Sequence, residues 1–413
     1  MVGVFIVALY GTDLRSAAIG IVIGNIVGFG LLGLLANFGP RYGVPQMLAS
    51  RLAFGKLGNT APAGLSFLAG VGWFAINTIF GSYALQTLVG WSYALSLIVM
   101  LVLQIALAVY GYNLIHVFDR TVAARLAIGF VVLGVATVTH AAWSAPFNTA
   151  APMAAGGAVA GFVFASALAF SYATGWVPSA SDYSRYLPRN ANPRAVWWYS
   201  FLGCALPCVA LEILGAAAVS AAPHVNFAST IPTQAIADLL GSGVVAKIVL
   251  LTVVLGTLAA NCMNLYSGAL AALVAFEVRI PRASAAVAVG IIGALIATGG
   301  GHPRDTAEFY TNFLLLLSYW ASPWAAVALV DWWRYRRVER DPQRAPNFRA
   351  GAIAWVVGLL ASILFWNQAW FVGPVARAFP QIGDVSYYVG FAVAALAAVA
   401  LTSPHRVQRE IGT

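Results

Sequence analysis

The chain has 413 residues, of which 61% are hydrophobic and only 8% charged, with a formal net charge of +9. A mean hydropathy of +0.83 excludes a water-soluble globular domain, since the charged fraction is about a third of the usual one. The basic excess is dealt out between apolar spans instead of clustering on one face, which excludes nucleic-acid binding.

In chain order, residues 1–11 are apolar but make only about half of a spanning helix, which needs about 20 residues, so the first helix reads as cut short. Candidate spans follow at about 16–38, 61–90, 92–115, 123–143, 155–180, 196–220, 244–276, 284–299, 307–333, 351–371 and 385–402: eleven spans plus a fragment. With the loop after the fragment placed outside, eighteen arginines and lysines fall inside, Arg120, Arg406 and Arg409 among them; Arg15, Lys247, Arg304 and Arg377 remain outside. That asymmetry obeys the positive-inside rule and puts the C-terminus in the cytoplasm.

The span ending GFVFASALAFSYATGWVPSASDYSRYLP carries a weak point at Gly175, Trp176 and Pro178, tolerable in lipid only where the backbone faces protein or a wet cavity. Asp182 and Arg185 follow, one turn apart. Like Asp331 beside the Arg334 cluster, they read as anchors or gate latches at cytoplasmic helix ends.

Three places could carry chemistry. Trp73, Asn77 and Gly81 repeat at four-residue steps, so an aromatic plate, a carboxamide and bare backbone share one helix face. The stripe suits a flat, nitrogen-rich ring, with the indole on its π-face and the amide at its edge, although the same spacing serves helix packing. Thr257, Asn261, Asn264 and Gly268 form a polar seam in an otherwise apolar element, costly unless partners, a ligand or water meet it. Glu212 is the only carboxylate deep inside a span. Burial favours its protonated form, which suits a proton carrier and equally a structural hydrogen bond.

Cys204, Cys208 and Cys262 sit inside apolar runs and read as small core residues, with neither disulfide nor metal spacing. The phosphate loop GxxxxGK[ST] and the catalytic motifs HExxH and GxSxG are missing, so neither ATP-driven transport nor an enzyme is expected.

The runs GPRYGVPQMLASRLAFGKLGN, GVGWFAINT, ASDYSRYLP, PCVALEILG, LAANCMNLYSGAL and NFLLLLSYWASPW together resemble the nucleobase:cation symporter family one, and within it the purine/cytosine permease branch. The resemblance implies an all-α integral membrane protein with the twelve-helix, leucine-transporter-type inverted-repeat fold. It makes residues 1–413 a single transporter domain, with 1–333 the repeat core and 351–402 two peripheral helices.

The implied function is import of a nucleobase, cytosine or a purine, with a cation. The implied substrate ligands are Trp73 and Asn77, then Trp176 or Tyr172 in the sixth helix, and Asn264 or Asn261 in the eighth. A carrier for allantoin, hydantoin or a vitamin precursor would need the same groups, and a non-transporting receptor is the alternative from another class. Sodium-coupled relatives use hydroxyl side chains that fall here on Ala259 and Ala260, with Thr257 serving only in a shifted register. A hard cation needs oxygen ligands, so the expectation is proton coupling through Glu212, with no metal or cofactor. The half of helix one before its break precedes Met1 in this alignment, so either the reading frame begins further upstream or the chain is a remnant.

Overall fold

Small residues spaced four apart decide how the long helices meet. In the computed structural model, α1 (Val2–Ala8) leads into α2 (Leu14–Ala36), whose Gly20, Gly24 and Gly28 face α6 (Gly157–Thr174). A Cβ on Gly24 would stand 2.4 Å from Ser166 O, and one on Gly28 2.5 Å from Ala173 Cβ. Without a hydrophobic drive between helices in lipid, such backbone approach is what holds a helix pair together. The described residues are 1–401 apart from 111, 223, 224, 226, 228–231, 242 and 300–302. Arg406 and Arg409 lie outside them, as do the side chains of Arg120 and Arg304, so these members of the charge count have no structural placement.

Between α2 and α6 run α3 (Thr60–Val89), α4 (Tyr93–Tyr110) and α5 (Tyr112–Val138). After α6 come α7 (Pro193–Ala221), α8 (Val244–Phe276), α9 (Arg282–Thr298), α10 (Pro303–Tyr335), α11 (Ala350–Ile363) and α12 (Ser386–Leu401). Six helical stretches among the described residues are long and apolar enough to cross a membrane, and further apolar helices are shorter.

Two spans and one loop need correction. The span expected at 123–143 begins at Tyr112, because charged residues that read as a loop are compatible with a helix. The one expected at 351–371 ends at Ile363, where polar Asn367 and Gln368 pair antiparallel with Phe371 and Val372 in a small hairpin. A short helix, Pro232–Leu240, lies where no element was expected.

The contact that positions the site is α3 against α8, the most extensive helix pair among the described residues. Gly70 meets Gly268 near one end, where an added Cβ would lie 2.8 Å from the opposing Cα, and Gly81 meets the Thr257 hydroxyl further along. Between these two close approaches lie Trp73 and Asn77 on one helix, Asn261 and Asn264 on the other.

The weak point after α6 is a true break. The helix stops at Thr174, a 3-10 turn spans Val177–Ser179, and a short helix resumes at Ala180–Ser184. The Ser179 hydroxyl donates to Trp176 O at 2.8 Å, re-satisfying one freed carbonyl. Short helices between Phe38 and Phe54 tuck beneath: the Gln46 amide N–H donates to Asp182 at 2.9 Å and its side-chain oxygen accepts from Ser181 N at 3.1 Å.

Asp182 is thus engaged by a backbone donor, while Arg185 donates to the hydroxyls of Tyr186 and Tyr266, each at 2.8 Å. The second expected latch pairs within its own basic cluster. Asp331 is held bidentately by Arg340, at 3.1 and 2.6 Å, because the chain after α10 folds back over it, whereas Arg334 donates to Val399 O.

Candidate functional site

Trp73 is buried, 8% exposed, and three rings meet it edge-on: Phe313 at 5.4 Å, Tyr172 at 5.5 Å and Tyr310 at 6.3 Å between centroids. Edge-to-face contacts of this kind lock an indole in orientation. Beside it lies a cavity of about 170 Å³ whose wall includes Trp73, Asn77, Phe80, Tyr172, Trp176, Asn264 and Tyr310. The volume is below the ~300 Å³ at which sites for drug-sized ligands begin, a scale that suits a single heterocycle.

Trp73, Trp176 and Asn264 also wall a second, smaller space of about 30 Å³, whose lining includes Ser66, Gly70, Ser179 and Ser267. These three residues are common to both walls and make a shared partition between the two voids. Tyr183, from the short helix after the α6 break, bridges to Met263 O at 3.2 Å and the Ser267 hydroxyl at 3.0 Å, both residues of the smaller void's lining.

The asparagines are wired together. Asn261, fully buried, donates from Nδ2 to Phe74 O at 3.0 Å and to the Thr78 hydroxyl at 3.1 Å. Its Oδ1 accepts from Asn264 Nδ2 at 3.1 Å and Asn77 Nδ2 at 3.3 Å. The structure thus brings Trp73, Asn77, Tyr172, Trp176 and Asn264 around one void and sets Asn261 behind them as the hub. Both aromatic candidates of the sixth helix reach the cavity, while Ala173 packs on Gly28.

The two residues expected to handle the cation are apart. Thr257 donates to Val254 O of its own helix at 2.9 Å and packs against Gly81, outside both voids. Glu212 on α7, 6% exposed, accepts a 2.6 Å hydrogen bond from Asn25 Nδ2 on α2, and its other oxygen has no partner among the described residues. Tyr172 and Tyr310, both in the cavity wall, lie within electrostatic reach of its carboxyl. No group of three or more His, Cys, Asp or Glu converges among the described residues.

Residue-by-residue reading missed Tyr310, Thr78 and Asn25. Asn25, a lone amide within GIVIGNIVGFG, carries the same signal that marked Asn77 and was open to the same argument. Tyr310 offered no pattern, because its role depends on which helix α10 crosses.

The protein-family profile described as "Permease for cytosine/purines, uracil, thiamine, allantoin" matches residues 1–390. The chain is 30% identical to the purine-cytosine permease fcyB of Emericella nidulans, over 97% of this chain and 81% of that protein. It is 25% identical to the purine-cytosine permease FCY2 of Saccharomyces cerevisiae, over 92% and 75% respectively. Among solved structures it is similar to Mhp1, described as a nucleobase-cation-symport-1 family transporter in a closed conformation with bromovinylhydantoin bound. There the TM-score is 0.75 at 18% identity, covering 97% of this chain and 88% of the other. The likeness shows that the chain shares the all-helical architecture of that membrane transporter.

Proposed function

Because the chain belongs to the family of permeases for cytosine/purines, uracil, thiamine and allantoin, we propose that it is a secondary importer of a nucleobase, cytosine or a purine. The observation that carries this reading is the 170 Å³ cavity at the α3–α8 crossing, where the Trp73 indole and the Asn77 and Asn264 amides line one void. A flat base stacks on aromatic faces and hydrogen-bonds through its edge, and both functions are supplied within one cavity. Transport proceeds by alternating access, the base passing from the larger void to the smaller when the partition of Trp73, Trp176 and Asn264 opens.

In this proposal the driving ion is the proton and Glu212 carries it. A carboxylic acid next to Asn25 and behind Tyr172 is cheap to bury when neutral and costly when charged, so its occupancy couples to whether the site is open to water. The protein sits in the cell membrane with its C-terminus in the cytoplasm, a reading supported by the loop charges and tested by reporter fusions at each end.

A second reading, a carrier for a hydantoin or a vitamin, is favoured by two of the likenesses. The similar solved structure holds bromovinylhydantoin, and the chain is 19% identical to the vitamin B6 transporter TPN1 of Saccharomyces cerevisiae. Uptake of labelled cytosine, adenine and hypoxanthine into cells lacking their own carriers, in competition with allantoin, hydantoins and pyridoxine, decides between the two. Saturable cytosine or purine uptake supports the first; displacement only by the competitors supports the second. Binding without uptake in sealed vesicles would make the protein a receptor.

A further inference from the structure

We propose that the crevice where the chain leaves α2, the α6 break and α10 is a second binding site, one that takes a phosphate ester. Its volume is about 800 Å³, within the range of sites for small organic ligands, and it shares no lining residue with either void described above. Three separate segments build it, with residues drawn from 37–43 after α2, from 185–193 ahead of and into α7, and from 332–342 at the end of α10 and beyond.

The walls carry positive charge that internal pairing does not use up. Arg41, Arg185, Arg189, Arg337 and Arg340 line the crevice, against the carboxylates of Glu339 and Asp341. Arg189 pairs with Glu339, Arg340 with Asp331, and Asp341 with Arg344. Arg41, Arg185 and Arg337 are left without an ion pair among the described residues. Arg41 donates from Nη2 to Val338 O at 3.2 Å, and Arg185 from Nη2 to two tyrosine hydroxyls. Both are thus anchored by neutral acceptors that leave their charge in place. Glu339 lies within electrostatic reach of Arg41, but its salt bridge is to Arg189.

Donors are in excess too. Arg185 Nε, Arg340 Nε and Trp332 Nε1 are buried without an acceptor among the described residues. Three uncompensated guanidinium groups around one space repel each other, and a monocarboxylate would answer only one of them. A phosphate monoester brings about two negative charges and three acceptor oxygens, which guanidinium forks meet two at a time. Tyr42 and Trp332 add aromatic rings to the same lining, so an ester carrying an organic group suits the crevice better than bare phosphate. Arg189 and Arg337 are exposed, so the ligand can enter from water, as a nucleotide does, or from the bilayer surface, as the headgroup of phosphatidic acid.

The test titrates the full chain in phosphatidylcholine nanodiscs with adenosine 5′-monophosphate and with adenosine, reading bound ligand and the unfolding midpoint. The monophosphate should bind and raise the midpoint with concentration, adenosine should do neither, and added salt should weaken the binding. Arg337→Gln alters an exposed arginine without an ion pair and should weaken binding by about tenfold, the scale of one charge-assisted hydrogen bond lost. Arg336→Gln removes the same charge from the neighbouring residue, outside the lining, and should bind as the parent does. Arg41→Gln repeats the comparison if Arg337→Gln folds poorly. Nanodiscs containing phosphatidic acid form the second arm: a raised midpoint in the parent, lost in Arg337→Gln, without binding of the free monophosphate assigns the site to a lipid headgroup.

Failure of the parent to respond to either phosphate ester would overturn the proposal, as would equal losses in Arg337→Gln and Arg336→Gln. Binding shared by adenosine and its monophosphate and unmoved by Arg337→Gln would overturn it as well, because the ring and not the phosphate would then be held. The readout is binding in place of uptake, so the result stands apart from the import reading and from which heterocycle the chain carries.

Discussion

Asn25 on α2 and Glu212 on α7, 187 residues apart in sequence, are joined by a 2.6 Å hydrogen bond, and the same Asn25 nitrogen also donates to Ile21 O at 2.9 Å. With both its amide hydrogens so directed, Asn25 can only donate to the carboxyl, and the remaining Glu212 oxygen has no partner among the described residues, which is the basis of the proposed proton site. Glu212→Gln should therefore keep cytosine binding but lose the stimulation of uptake by external acid and its sensitivity to a protonophore. Asn25→Leu, which leaves a buried carboxyl without its donor, should cost about 1–3 kcal/mol of stability and weaken coupling as well. Uptake that stops when sodium is removed and ignores the protonophore would refute the proton assignment.

Removing the aromatic plate is the direct challenge to the site. Trp73→Ala should weaken substrate competition by about 1–3 kcal/mol, the scale of base–aromatic stacking measured by truncation, while Trp73→Phe should retain part of it. Because Trp73 also walls the smaller void, the alanine variant should leak substrate across the partition, visible as faster efflux from preloaded vesicles.

The α2–α6 contact predicts a contrast between two glycines of one helix. An added methyl at Gly24 would lie 2.4 Å from Ser166 O, whereas at Gly30 nothing lies within 4 Å. Gly24→Ala should destabilise the solubilised protein by about 1–3 kcal/mol, as overpacking does, and Gly30→Ala should be neutral or slightly stabilising through helix propensity. Thermal unfolding of both variants in one detergent separates them; equal midpoints would contradict the packing described.

Asp384, in the loop before α12, accepts from Ser386 N at 3.0 Å, Asn367 N at 2.9 Å and the Tyr319 hydroxyl. Burial nevertheless raises its pKa from 3.8 to about 6, the hydrogen bonds from Ser386, Tyr319 and Asn367 opposing the shift. The folded protein thus holds this proton where the unfolded chain has released it, so the contribution to stability is full below about pH 4 and lost as pH rises through 6. Asp384→Asn should flatten that part of the stability profile, read as unfolding midpoints across pH 4 to 7. An unchanged slope would show that other groups set it.

Much of this protein is legible one helix at a time. The apolar spans, the break at Gly175–Pro178, and the stripes of Trp73 with Asn77 and of Asn261 with Asn264 follow from helical periodicity and from the cost of polar groups in lipid, both properties of a single segment. What only the tertiary structure decided is who meets whom. Asn261 belongs to the scaffold while Asn264 faces the void, Thr257 stands away from Glu212, and Tyr310 and Asn25 enter from helices far along the chain. Asp182 likewise takes its backbone donor from Gln46, far from it in sequence. The reason is physical: a helix specifies which residues share its face, but the partner of that face depends on crossing points such as Gly70 on Gly268, where two backbones touch and no local pattern records the other side.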